Sequence, residues 1–131
     1  MFNKKKQPPI RSLIAEGSEI EGNLSFYEGL RIDGTVVGNI SGKVDRASIL
    51  VISETATVTG EVLADHIIVN GTVKGPVHAR VMLELQPKAR IEGDVKYIAL
   101  EMHQGAIIAG QLRPDVEGEE KPTLKLAANN G

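Results

Sequence analysis

The sequence Ile32-Asp-Gly34-Thr-Val36-Val-Gly38-Asn-Ile40 returns almost intact as Val69-Asn-Gly71-Thr-Val73-Lys-Gly75-Pro-Val77, 37 residues later. A shorter unit, apolar-x-Gly-x-apolar, recurs around this pair. It appears as Ile20-x-Gly22-x-Leu24, Ile40-x-Gly42-x-Val44, Val58-x-Gly60-x-Val62, Ile91-x-Gly93-x-Val95 and Ile108-x-Gly110-x-Leu112. Self-similarity of this kind predicts a solenoid, in which each repeat buries its apolar side only by stacking on its neighbours. An open stack also has two unfinished ends, so the ends become the first place to look for function.

The local pattern says which kind of solenoid. Period-2 alternation dominates from about Ser12 to Leu112, as in Leu30-Arg-Ile32, Ile67-Ile-Val69, Val81-Met-Leu83-Glu-Leu85 and Leu100-Glu-Met102. These runs are rich in Val, Ile and Thr and are bounded by Gly, Asn, Asp or Ser, which is a strand signature. Gly22, Gly42, Gly60, Gly75, Gly93 and Gly110 are separated by 20, 18, 15, 18 and 17 residues, about 18 per turn. Gly38 can replace Gly42 in that series without changing the number of turns. Three short faces fit such a turn, and the glycines suit corners that need positive φ or close backbone approach. The expected fold is therefore all-β: a single-domain parallel β-helix of about six three-faced rungs. Right-handed crossover is the general preference for parallel strands.

Composition narrows the function. The chain has 131 residues and no cysteine, which rules out disulfides and thiolate metal sites. Lys4, Lys5, Lys6 and Arg11 sit in residues 1–11 without an acid, whereas residues 12–112 carry 8 basic and 13 acidic side chains, a balance of −5. A basic arm on an acidic body argues against broad nucleic-acid binding. The aromatics are few, Phe2, Phe26, Tyr27 and Tyr97, as expected for a narrow interior filled by Ile, Val and Leu. No apolar run reaches membrane-span length, and Gln7-Pro8-Pro9 follows the lysines where a secretory signal needs an apolar stretch. The expected organisation is a flexible basic tail over 1–11, a β-helical core over 12–112, and a disordered tail over 113–131, where Pro114, the acidic run and Pro122 interrupt the pattern.

The search for chemistry returns no constellation. His66, His78 and His103 lie 12 and 25 residues apart, neither a whole number of turns, so they are not expected to stack on one face. The carboxylates Glu19, Glu21, Asp33, Asp45, Glu61, Asp65, Glu92 and Asp94 mostly hold the polar alternate positions that any solvated solenoid needs. No nucleophile elbow, phosphate-binding glycine loop or HxxxH pair is present. No catalytic, cofactor or metal site is expected.

Two other features carry a functional expectation. The first turn offers Ile14, Ile20 and Leu24, and the last offers Ile107, Ile108 and Leu112. With no capping helix in the pattern, these residues are the candidate contacts for stacking one molecule on another, and repetition of such contacts gives a filament. Six rungs would rise about 29 Å per subunit. The arm offers Met1 and Phe2 followed by Lys4, Lys5 and Lys6, which suit an anionic membrane surface. Burying one such apolar side chain contributes roughly 1.5–3 kcal/mol, and each Lys adds about 1 kcal/mol. A polymer presents many arms, and avidity strengthens weak anchors.

The order of these phrases resembles the bactofilins, bacterial cytoskeletal proteins with a β-helical core between flexible tails. The carrying residues are Leu13-Ile-Ala-Glu-Gly17-Ser-Glu-Ile20-Glu-Gly22-Asn-Leu24, the stretch from Leu30 to Ile40, and the phrases Ala56-Thr-Val58-Thr-Gly60-Glu-Val62 and Ala89-Arg-Ile91-Glu-Gly93-Asp-Val95. The resemblance implies a right-handed helix and nucleotide-independent assembly into non-polar filaments through head-to-head and tail-to-tail contacts. It also implies membrane targeting by the arm and a scaffolding role for cell-wall or cell-shape proteins at the inner face of the cytoplasmic membrane. The alternative reading is a trimeric β-helical enzyme of the hexapeptide acyltransferase or gamma-type carbonic anhydrase kind. It needs a strict six-residue period, which spacings of 15 to 20 disfavour.

Overall fold

The computed structural model describes residues 8–115 and 123–126, and no helix occurs among them. The chain enters as β1 (Ile10–Ile14) and then winds in coils of three short faces. The first coil is β2 (Glu19–Glu21), β3 (Leu24–Phe26) and β4 (Glu28–Ile32). The second is β5 (Thr35–Val37), β6 (Ile40–Gly42) and β7 (Ser48–Ile52). In the third, β8 (Thr57–Thr59) is followed by β9 (Val62–Val69), which runs through one corner and serves two faces. The fourth repeats this with β10 (Thr72–Lys74) and β11 (Val77–Leu85). The fifth is β12 (Arg90–Glu92), β13 (Val95–Tyr97) and β14 (Ala99–Met102); the sixth is β15 (Ile107–Ala109), β16 (Leu112–Pro114) and β17 (Thr123–Leu126). Every strand pairs in parallel with its counterpart one coil away. The six-turn parallel β-solenoid expected from the repeats is the observed fold.

Alternation along each strand becomes columns along the stack, because the registers are in step. Ile20, Val36, Val58, Val73, Ile91 and Ile108 line the first face. Leu24, Ile40, Val62, Val77, Val95 and Leu112 line the second. Ile14, Ile32, Ile52, Val69, Leu85 and Met102 form one column of the third. The middle members of all three columns are fully buried. Each such side chain contributes on the order of 1.5–3 kcal/mol by leaving water. The interior is also matched in size: Phe26 and Tyr97 are buried in outer coils, and Gly42, Ala64 and Ala79 occupy the same face between them. A Cβ on Gly42 would stand 3.2 Å from the Phe26 ring and 2.5 Å from the Ser48 hydroxyl.

That packing corrects one part of the sequence reading. The corner column is Gly22, Gly38, Gly60, Gly75, Gly93 and Gly110, with Gly38 rather than Gly42. A Cβ on each from Gly38 onward would lie 2.0–2.5 Å from the carbonyl oxygen of the glycine one coil earlier. The spacings are then 16, 22, 15, 18 and 17. The long coil holds a five-residue loop, 43–47, between β6 and β7, and the short one follows because β9 turns the corner without a loop.

The 37-residue repeat also has a physical cause. Corners between the third and first faces alternate in length through Gln86–Ala89, after which His103–Ala106 is a second four-residue turn in succession. Four-residue turns at Ala15–Ser18 and Ser53–Ala56 close with hydrogen bonds of 3.0 and 2.9 Å, whereas Asp33-Gly34 and Asn70-Gly71 turn in two residues. Each two-residue corner nests inside the preceding four-residue turn: a Cβ on Gly71 would lie 2.2 Å from the Ser53 carbonyl oxygen. One long and one short corner make a two-coil unit, and that unit is what the sequence repeats.

The boundaries move at both ends. Ile10 and Arg11, expected in the tail, begin β1. Beyond Leu112, expected as the last core residue, β16 continues to Pro114, and Thr123–Leu126 forms β17 inside the expected C-terminal tail. The register pairs Leu124 with Leu100 and Leu126 with Met102. The prolines and acidic run before β17 concealed it in the sequence. Residues 1–7, 116–122 and 127–131 lie outside the described residues.

The close glycine column generates a paired test. Gly22 and Gly75 both have positive φ, 133° and 150°, but a Cβ meets nothing within 4 Å at Gly22 and a backbone oxygen at 2.2 Å at Gly75. Gly75→Ala is expected to cost about 3 kcal/mol or more, and Gly22→Ala only the backbone strain of about 1–2 kcal/mol. Thermal and denaturant unfolding followed by circular dichroism measures both; equal losses would refute the close-approach account.

Candidate functional site: the two ends of the solenoid

At the N-terminal end, β1, β2 and β3 pair only with β4, β5 and β6 among the described residues, so each has an unpaired edge. At the other end the same holds for β15, β16 and β17. Unpaired strand edges expose backbone donors and acceptors that can template further pairing.

The apolar candidates take distinct positions at these ends. Ile14 pairs with Ile32 and is buried, because its side chain enters the core column. Ile20 over Val36 and Leu24 over Ile40 are half-buried: each has core on one side and, among the described residues, nothing paired on the other. Ile108 over Ile91 is the mirror case at the far end. Leu112 continues the column of Val95 but is 45% exposed. Ile107 differs from the other five. It pairs with Arg90, an outward position, and is 52% exposed on the outer surface of the last coil instead of in the inward column. The strand alternation Ile107-Ile108 left that choice open in the sequence. Thr123–Leu126, which the alternation offers only as a transient strand within the tail, is β17 and puts a strand on the third face of the C-terminal end. The arm residues Met1, Phe2, Lys4, Lys5 and Lys6 lie outside the described residues.

The polar groups are engaged in joining coils. The three histidines fall on different parts of the stack: His66 in the third-face half of β9, His78 in the second-face half of β11, and His103 at a corner. His103 Nε2 lies 3.2 Å from Glu84 and 3.3 Å from Glu101, carboxylates on paired positions of β11 and β14. His78 Nε2 lies 2.9 Å from Asp115, fixing the chain as it leaves β16. Asn39 N donates to Asn23 Oδ1 and Glu61 N to Asn39 Oδ1, both at 2.9 Å, so side-chain amides bridge successive corners.

A groove of about 470 Å³, open to solvent, runs along the corner of the alternating turns, with Arg31, Asp33, Ser53, Asn70 and Gln86 in its wall. Asp33 accepts hydrogen bonds from the Ser53 hydroxyl and from Arg31 Nε at 2.9 Å. Those two bonds, the Ser53 hydroxyl first, hold its carboxyl below the usual carboxylate range. Both partners tie Asp33 to its own strand and to the next coil, which is a structural role.

The geometry thus defines a structural solenoid whose unfinished surfaces are its ends. No helix among the described residues is long and apolar enough to cross a membrane. Coil lengths of 15 to 22 residues keep no six-residue period. Residues 12–113 match the family described as "Bactofilin: Polymer-forming cytoskeletal". The chain belongs to the bactofilins, a structural, cytoskeletal family whose description as polymer-forming implies self-association. It is similar to Bactofilin BacO of Myxococcus xanthus (strain DK1622), with 27% identity over 116 residues, covering 88% of this chain and 89% of that protein. No solved structure matches the chain.

The Asp33 network makes a pH prediction. Its carboxyl is depressed in the fold, so its stabilisation is present above the unfolded value of about 3.9 and is lost as pH falls through the folded value. Asp33→Asn is expected to lower the melting temperature at pH 7, with the difference from the parent shrinking below about pH 4. A difference that stayed constant down to pH 2 would contradict this assignment.

Proposed function

We propose that this protein polymerises without nucleotide by stacking solenoids end to end, forming non-polar filaments on the inner face of the cytoplasmic membrane. There it scaffolds cell-wall enzymes or cell-shape proteins. The observation that supports this reading best is the pair of half-covered apolar columns under unpaired strand edges. Ile20 and Leu24 at one end, and Ile108 and Leu112 at the other, each continue a fully buried column. A second copy stacked on either end would extend those columns and pair the edges in one step. Membership of a polymer-forming family supports the same reading. Head-to-head and tail-to-tail stacking makes each junction two-fold symmetric, with self-complementary contacts. The arm supplies the membrane anchor: Met1 and Phe2 enter the acyl boundary, and Lys4, Lys5 and Lys6 meet anionic headgroups. One arm is weak, and the filament multiplies it.

Two variants separate assembly from anchoring. Leu112→Arg puts a charge into the stacking layer, where burial without a partner is unfavourable. Because Leu112 is 45% exposed in the single chain, the fold should survive. Electron microscopy is expected to show no long filaments while circular dichroism stays β-rich; long filaments from this variant would remove Leu112 from the junction. Deletion of residues 2–6 is expected to abolish co-sedimentation with phosphatidylglycerol vesicles and leave filaments intact. Undiminished vesicle binding would refute the arm as anchor.

A further inference from the structure

The exposed large apolar side chains are not scattered evenly. Five of the nine among the described residues, Ile10, Tyr27, Val44, Val81 and Ile98, 37–79% exposed, lie along the one corner where the second face turns into the third, while Leu13, Val37, Ile107 and Leu112 are spread over the faces and the last coil. Ile10 opens β1 and pairs with Gly29; Tyr27 joins β3 to β4; Val44 tips the 43–47 loop; Val81 marks the bend in β11; Ile98 joins β13 to β14. From the first to the last is five coil steps, about 24 Å along the axis. The row is interrupted only in the third coil, where Asp65 takes the corner, and a gathering of exposed apolar side chains of this kind marks a contact surface.

Its charge differs from that of the other two corners. Lys43 Nζ and Arg46 Cζ lie over the Tyr27 ring, 5.7 and 5.2 Å from its centroid. Glu28, at φ 63°, is paired with both Arg11 and Arg46. Arg80 spans Asp65 and the Gly42 carbonyl oxygen, 2.8 Å each, and anchors the loop that carries Val44. The adjoining outward positions of the second face are Ser25, Ser41, Leu63, His78, Lys96 and Arg113, without a carboxylate. At the strip itself Arg11, Lys43, Arg46 and Arg80 outnumber Glu28, Asp45 and Asp65, whereas the corner opposite carries Glu16, Asp33 and Glu54 with Lys88, and the remaining one Glu61 and Asp94.

The chain outside the described residues starts from the same corner. Pro9 passes directly over Gly29, its carbonyl oxygen 2.2 Å from where a Cβ would stand, so residues 1–7 join the body beside Tyr27 and Ile10. We propose that this corner is a second membrane contact, laid on an anionic lipid surface beside the arm, so that the filament has one defined membrane-facing side. Tyr27 would sit at the headgroup level with Val44, Val81 and Ile98 dipping between headgroups, and Lys43, Arg46 and Lys96 would meet phosphates. The inference rests on the membrane reading above and adds an orientation to it.

The chain has no tryptophan, so one introduced residue reports its own surroundings. Val44→Trp in the full chain is compared with Thr59→Trp on the exposed first face, with vesicles of phosphatidylglycerol or of phosphatidylcholine alone. The expected result is co-sedimentation with the anionic vesicles, a blue shift at position 44 and none at 59. A second variant, Val44→Glu with Val81→Glu, is expected to keep filaments and to weaken vesicle binding roughly tenfold. Co-sedimentation with no shift at 44 and unchanged binding of the double variant would overturn the corner contact and leave the arm in place. No co-sedimentation at all would overturn both readings. A shift at 44 that appears on filament formation without lipid would assign the corner to lateral contacts between copies and overturn the lipid proposal.

Discussion

Everything in this structure depends on one interaction, the in-register stacking of a coil on the coil before it. Each coil is too narrow to enclose a core of its own. Its inward Ile, Val and Leu side chains become dry only when the columns above and below continue, and its backbone groups are satisfied only by the neighbouring coil. The glycine column shows how closely the coils approach: there is room for a carbonyl oxygen between successive corners and no room for a methyl group. Departures from the average coil are absorbed outside the stack. The extra residues 43–47 leave as a surface loop, fastened by Arg80 and Asp65, and the registers on either side remain in step.

Stacking also explains why the ends matter. An interaction that every internal coil makes twice is made once by the terminal coils. Ile20, Leu24, Ile108 and Leu112 therefore have the chemistry of the core and the exposure of an edge. A globular fold has no equivalent of this half-covered layer, which offers a surface for something of matching shape. Another copy of the chain is the simplest such object. The sides follow a different rule. They are solvated in every coil, and five exposed apolar residues gathered along one corner therefore stand out against the rest.

Much of this was legible in the sequence because solenoid physics is local and repeated. Alternation at period 2 identified the strands, and the apolar-x-Gly-x-apolar phrase identified the corners. The 37-residue repeat was visible, but its cause was not: nesting of Asp33-Gly34 and Asn70-Gly71 into the preceding turns is a contact between coils. Gly38 and Gly42 could not be ranked, since Gly42 answers to the size of Phe26, a residue 16 positions away. The C-terminal strand was hidden by the Pro-rich and acidic stretch before it, although Leu124 and Leu126 carry the right alternation. At the candidate ends, five apolar residues fell into inward columns, and Ile107 faced outward because adjacent residues in a strand cannot both point in. The corner strip was not singled out, although Ile10, Tyr27, Val44, Val81 and Ile98 follow one another at 17, 17, 37 and 17 residues, because alternation alone does not say which apolar residues stand outside the columns.

The most direct test of the account is cryo-electron microscopy of the purified full chain, incubated without nucleotide. The account predicts filaments one solenoid wide in which coils spaced about 4.8 Å apart continue without a gap across each subunit junction. Discrete particles at all concentrations and salts, or filaments built by side-to-side contacts with the terminal coils left open to solvent, would contradict it.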